Sequence, residues 1–122
     1  MTDVLVFGAH PDDAEFGMGA SLLKLVDNGY DVTVCVLTKG DAGTHGTTDD
    51  RVEEMHVAAD YGGYDTHLLD YEDCKIIDDF AMRKHLAEII RFYEPSLLFA
   101  PYHTNHGDHH DGKAHPDHCV TG

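Results

Sequence analysis

The chain has 122 residues, enough for one domain with a real core and too few for two. Its 23 Asp and Glu against 8 Lys and Arg give a formal net charge of −15. That balance argues against nucleic acid and anionic membranes as partners, because both are gripped through basic side chains, and it suits either a protein kept soluble in strong salt or simply an acidic cytosolic one.

No charged-then-apolar leader opens the sequence, and no apolar run approaches the ~20 residues that cross a bilayer, so a cytoplasmic location is expected. Cys35, Cys74 and Cys119 are odd in number and lack CxxC spacing. They suggest neither a disulfide framework nor a structural zinc knuckle. Histidine is the unusual component: of 11, six fall between His103 and His118.

Strand and helix patterns alternate along the chain. Val4 to Phe7 is continuously apolar, the pattern of a strand buried on both faces. Met18, Leu22, Leu25 and Val26 then recur at helical spacing, and Asn28-Gly29 supplies a stop. "VTVCVLT", residues 32 to 38, is β-branched and apolar and predicts a second strand. A polar, glycine-rich loop over residues 39 to 50 leads to a helix marked by Val52, Met55 and Ala59 and ended by Gly62-Gly63. A short strand is expected around His67 to Leu69. The third helix starts at Asp78 or Asp79 as cap, carries Met82, Leu86, Ile89, Ile90 and Tyr93 on one stripe, and stops before Pro95. "LLFA", residues 97 to 100, predicts the fourth strand, after which the sequence turns polar and histidine-rich. No internal repeat is visible.

Such alternation implies an α/β fold, a three-layer sandwich with a mostly parallel sheet and right-handed crossovers. With the strand order 3-2-1-4, strands one and four adjoin at the switch point, where ligands bind beyond the carboxyl ends of the strands. The two unusual segments follow those two strands, so they would face each other across one crevice.

The first of them, "HPDDAE" from residue 10, sets two adjacent carboxylates and an imidazole at the edge of a core. His10 and Asp13 are three apart with Pro11 stiffening the turn, a spacing that can aim a ring nitrogen and a carboxylate oxygen at one point. The second, "AHPDH" at residues 114 to 118, adds His118. Two imidazoles and one carboxylate, with a position left for water, are the donor set of a catalytic zinc site rather than a structural one. Asp12 is then the candidate general base for a water acidified by the metal. His115 and Asp117 form a candidate pair in which the carboxylate orients the imidazole to stabilise an oxyanion or protonate a leaving amine. Together these groups describe hydrolysis of an acyl bond with one zinc, or another divalent ion, as the sole cofactor. Plainer roles exist for the same residues. Acids at 12, 13 and 15 favour a helix N-terminus, Glu15 above all, and the His-rich stretch from 103 to 110 could be a solvated loop. A nucleotide site is disfavoured, since Gly8, Gly17 and Gly19 do not form GxGxxG.

The run "AHPDDAEFGMGASLLKLVDNGYDVTVCVLTKGDAG", with "HPDH" near the other end, resembles the PIG-L/LmbE-like zinc-dependent N-acetylglucosaminyl deacetylases over essentially the whole chain. The resemblance implies a Rossmann-like fold and removal of the acetyl group from an N-acetylated amino sugar or its conjugate, a small-molecule substrate. It implies His10, Asp13 and His118 as zinc ligands, Asp12 as base, and His115 with Asp117 as the pair serving oxyanion and departing amine. It further implies Asp41 of "GDAG", Arg51 of "RVEEMHVAADYGG" and Asp73 as sugar contacts. Two departures accompany it. Lys113-Ala114 stand where many members have Asp-Arg, and members are close to twice this length. Residues 1–122 are therefore expected to form a single deacetylase-like domain that lacks the family's C-terminal elements, as a fragment, a truncated gene product or a chain that another chain completes, with an exposed sheet edge that favours association, including with a second copy of itself. A second reading keeps the zinc but not the turnover: a metal-binding module of such an enzyme without its substrate walls.

Overall fold

The computed structural model of the protein describes residues 2–40, 48–101 and 116–122. Eight elements follow in the order β1 (Val4–Gly8), α1 (Asp13–Asp27), β2 (Val32–Thr38), α2 (Thr48–Gly62), β3 (Asp65–Tyr71), α3 (Phe80–Tyr93), β4 (Leu97–Phe99) and α4 (Pro116–Thr121). The strands form one sheet in the order β3-β2-β1-β4, and every pairing is parallel. This is the α/β class expected from the alternation of patterns, and the strand order is the common one that would bring strands one and four together.

β1 and β2 are buried along their whole lengths, which is why both read as unbroken apolar runs rather than alternating ones. Successive side chains leave a strand on opposite faces, and the core divides accordingly. Val4, Val6, Val34 and Val36 pack with Leu22 of α1 and Met55 and Ala59 of α2. Leu5, Phe7, Cys35 and Leu37 pack with Met82 and Ile89 of α3, and Val120 of α4 joins that side. Helices thus cover both faces, giving three layers.

Two boundaries differ from the sequence expectation, each for a physical reason, and a third is narrowed from two residues to one. α2 begins at Thr48, inside the stretch expected as loop, because Thr48, Asp49 and Asp50 are residues that suit both loops and the positive end of a helix. β3 runs seven residues rather than the short strand around His67 to Leu69. It is an edge strand, and Asp65, Thr66 and Asp70 dilute its apolar signal while main-chain pairing with β2 from Thr33↔Asp65 to Thr38↔Tyr71 sustains it. The cap of α3 is Asp79, whose Oδ1 accepts from Met82 N at 2.8 Å. Among the described residues no helix is long and apolar enough to cross a membrane.

The carboxyl ends of β1, β2 and β3 lie along one edge of the sheet. Ala9–Asp12 leave β1 there, Asp73 follows β3 by two residues, and α4 returns to the same edge.

Candidate metal centre

The turn after β1 is fixed by its own main chain and by β2. Thr38 N and Thr38 Oγ1 both donate to Ala9 O, at 3.0 and 2.8 Å. Asp13, the first residue of α1, folds its carboxylate back, so that Oδ2 accepts from Ala9 N at 3.0 Å and from His10 N at 2.9 Å. His10 is consequently buried at the mouth of the turn, 8% exposed.

α4 brings the second half. His118 Nε2 lies 3.0 Å from Asp13 Oδ2, and His10 Nδ1 lies 3.6 Å from the same oxygen. The two imidazoles are 5.4 Å apart between ring centroids. One donor atom from each of His10, Asp13 and His118 falls within 4.8 Å of the others, a span that suits a single divalent ion. The donor chemistry, two ring nitrogens and one carboxylate oxygen, fits zinc.

Behind this trio stands a second one. His10 Nε2 lies 2.8 Å from Asp73 Oδ1 and 2.9 Å from Asp117 Oδ2. Asp117 is 1% exposed and Asp73 6%, and Cys74 N donates to Asp117 Oδ2 at 2.8 Å. Burial alone would push the His10 pKa down, but the facing carboxylates of Asp13, Asp117 and Asp73 outweigh it and raise the value to about 9. Burial likewise disfavours the Asp13 carboxylate, yet His10, His118 and the His10 backbone N–H hold it well below the ordinary carboxylate range. Three carboxylates around one imidazole leave an excess of negative charge that a divalent cation would offset.

Asp12 is exposed at the tip of the turn, with Arg51 Nη2 3.4 Å from its Oδ1. Arg51 Nη1 also donates to Gly40 O at 2.8 Å. Gly40 has φ +69°, a left-handed conformation that favours glycine, and a Cβ there would also displace the Arg51 guanidinium.

Of the candidates read from sequence, the structure brings His10, Asp13 and His118 to one point and pairs Arg51 with Asp12, the neighbour of Asp13 in the chain. Asp117 is packed against His10 Nε2. Asp73, read from the resemblance as a sugar contact, is buried at 6% exposure with its Oδ1 2.8 Å from the same nitrogen. Asp41, His115, Lys113-Ala114 and the stretch from 103 to 110 lie outside the described residues. Glu15 does start a helix, and its Oε1 also accepts from Tyr64 OH. What sequence reasoning missed is the role of Cys74 N and the inward placement of Asp73. The only available signal was that Asp73 follows the carboxyl end of a strand, where parallel sheets gather functional side chains.

A Rossmann-like α/β domain with a His-Asp-His cluster at the carboxyl edge of a parallel sheet is the class that fold and site define. The family model described as PIG-L, GlcNAc-PI de-N-acetylase, matches residues 5–122, and the chain belongs to that family. It is 33% identical over 106 residues to the diacetylchitobiose deacetylase of Thermococcus kodakarensis, a match covering 80% of this chain and 40% of the relative. Among solved structures it superposes on the conserved protein TT1542 of Thermus thermophilus with a TM-score of 0.87 at 32% identity, covering 99% of this chain and 52% of that one. It superposes on the N,N'-diacetylchitobiose deacetylase of Pyrococcus horikoshii with a TM-score of 0.86 at 30% identity, covering 98% and 46%. The chain thus spans about half the length of these relatives.

Proposed function

We propose that the chain is the metal-holding part of a zinc-dependent N-deacetylase that hydrolyses the acetamide of an N-acetylated amino sugar or its conjugate. The observation that supports this reading most is the convergence of His10, Asp13 and His118, from two motifs at opposite ends of the chain, within 4.8 Å. The two diacetylchitobiose deacetylases among the relatives support a GlcNAc-type substrate.

In this reading His10, Asp13 and His118 hold one zinc ion. Bound there, zinc supplies a positive charge that acidifies water from a pKa of ~16 towards ~7 and polarises an amide carbonyl. Asp12, exposed and next to the trio in sequence, takes the proton from the attacking water. Arg51 keeps Asp12 in place through the contact at 3.4 Å and, with Asp41, binds sugar hydroxyls. Asp117 serves the site from behind His10, and His115 protonates the amine as the C–N bond breaks. A second reading, a zinc-binding module without turnover, draws support from the half-length coverage of the relatives.

One experiment separates the two. Zinc content by elemental mass spectrometry and acetate release from N,N'-diacetylchitobiose are measured on the wild-type chain and on His10→Ala, Asp13→Ala, His118→Ala and Asp12→Asn. Expected are one zinc per chain, sharply weakened binding in the three ligand variants, and acetate release that Asp12→Asn abolishes with zinc retained. Zinc without acetate release selects the module. Zinc retained by all three ligand variants removes the site assignment.

A further inference from the structure

His10 belongs to both trios, the outer one with Asp13 and His118 and the inner one with Asp73 and Asp117. A neutral imidazole has one lone pair and one N–H, so it can serve one trio as ligand and the other only as donor. Carboxylate oxygens accept hydrogen bonds. In the neutral ring that a metal requires, the nitrogen lying 2.8 and 2.9 Å from Asp73 Oδ1 and Asp117 Oδ2 therefore keeps the hydrogen, and the proton given up to the metal is the one on Nδ1, 3.6 Å from Asp13 Oδ2.

We propose that Asp73 and Asp117 are positioning residues that fix the His10 tautomer, so that Nδ1 and not Nε2 is the ligand atom offered to the metal. The inference rests on the zinc reading above. Three observations carry it. Both carboxylates are buried, Asp117 at 1% and Asp73 at 6% exposure, whereas the side chains of Asp13 and His118 are 17% and 36% exposed; a site that must admit water and substrate is the outer one. Asp117 is itself held by Cys74 N at 2.8 Å, and Cys74 adopts φ +63°, a left-handed conformation that is strained for a non-glycine residue. Finally, Asp117 and His118 are consecutive in α4, so docking this one helix delivers a metal ligand and the group that orients the opposite ligand together. Carboxylates placed behind metal-bound imidazoles are a general means of setting ring orientation, and their loss weakens metal binding by about 10–100-fold.

The test uses the whole 122-residue chain with zinc alone. Nitrogen-15 NMR of histidine-labelled, zinc-loaded wild type reads which ring nitrogen binds the metal. Chelator competition then compares zinc affinity in wild type and in the Asp73→Asn/Asp117→Asn variant. Expected are one zinc per chain, metal on His10 Nδ1, an Nε2 hydrogen protected from exchange, and affinity about 10–100-fold weaker in the variant. Coordination through Nε2 overturns the inference while leaving the zinc reading intact, and needs no variant that must fold. Unchanged affinity in a folded variant overturns it too. So do two zinc ions per chain with one lost on substitution, since the inner trio would then be a metal site itself. Wild type that binds no zinc overturns the reading and the inference together.

Discussion

His10 is the residue on which the site turns, and its charge state ties the stability of the metal-free protein to pH. The facing carboxylates outweigh burial and raise its pKa from 6.5 to about 9. A raised histidine stabilises the fold fully below its unfolded value and loses that contribution as pH rises through the folded one. Asp13 is depressed by its imidazole neighbours, so its contribution is present above the ordinary carboxylate value and fades as pH falls. Urea unfolding of the metal-free protein is therefore expected to show stability declining between pH 6.5 and about 9, by up to about 3 kcal/mol. His10→Gln should flatten that decline; a decline of equal size in the variant would assign it to general charge repulsion. Under the proposed function Arg51 bears on substrate instead. Its removal forfeits hydrogen bonds from a charged group, each worth about 1.5–3 kcal/mol. Arg51→Ala should raise KM about tenfold or more while zinc content stays constant, and an unaltered KM would take Arg51 out of the sugar site.

At the level of elements, α3 separates two adjacent acids that sequence alone left equivalent as caps. Asp79 has extended backbone and its carboxylate accepts from Met82 N, whereas Asp78 pairs with Arg83 at the surface. Asp79→Ala should lower unfolding stability by about 1 kcal/mol, with a smaller change for Asp78→Ala; the reverse order would move the cap back one residue. The helices and the two central strands were legible because their side-chain periodicity is local. Val4 to Phe7 and residues 32 to 38 are buried on both faces, and continuous apolar sequence has few other solutions. The full length of β3 was hidden because main-chain pairing holds an edge strand that polar side chains partly expose. The start of α2 was hidden because a helix N-terminus and a polar loop favour the same residues.

The whole molecule combines a strong negative charge with an apolar edge. β4 pairs with β1 and, among the described residues, has no second strand beside it. Leu97 and Leu98 are each 45% exposed and Phe99 37%, and Phe92 of α3 is 74% exposed. An open edge with exposed apolar side chains favours association, and a net charge of −15 opposes it. Sedimentation of the chain should show association that grows from low salt to 1 M salt as repulsion is screened and falls in Leu98→Lys; a monomer under all conditions would rule it out. The same distinction between local and distant terms separates what each level of description decides. The order of strands and helices, the parallel sheet and the His10–Asp13 pair follow from the sequence by itself, because each depends on side-chain pattern, crossover handedness or a spacing of a few residues. Which of the many acids and histidines meet was decided only by tertiary structure. Asp73, Asp117 and His118 reach His10 and Asp13 through the docking of α4 and the turn after β3 on one edge of the sheet, and no local periodicity encodes contacts between residues so far apart in the chain.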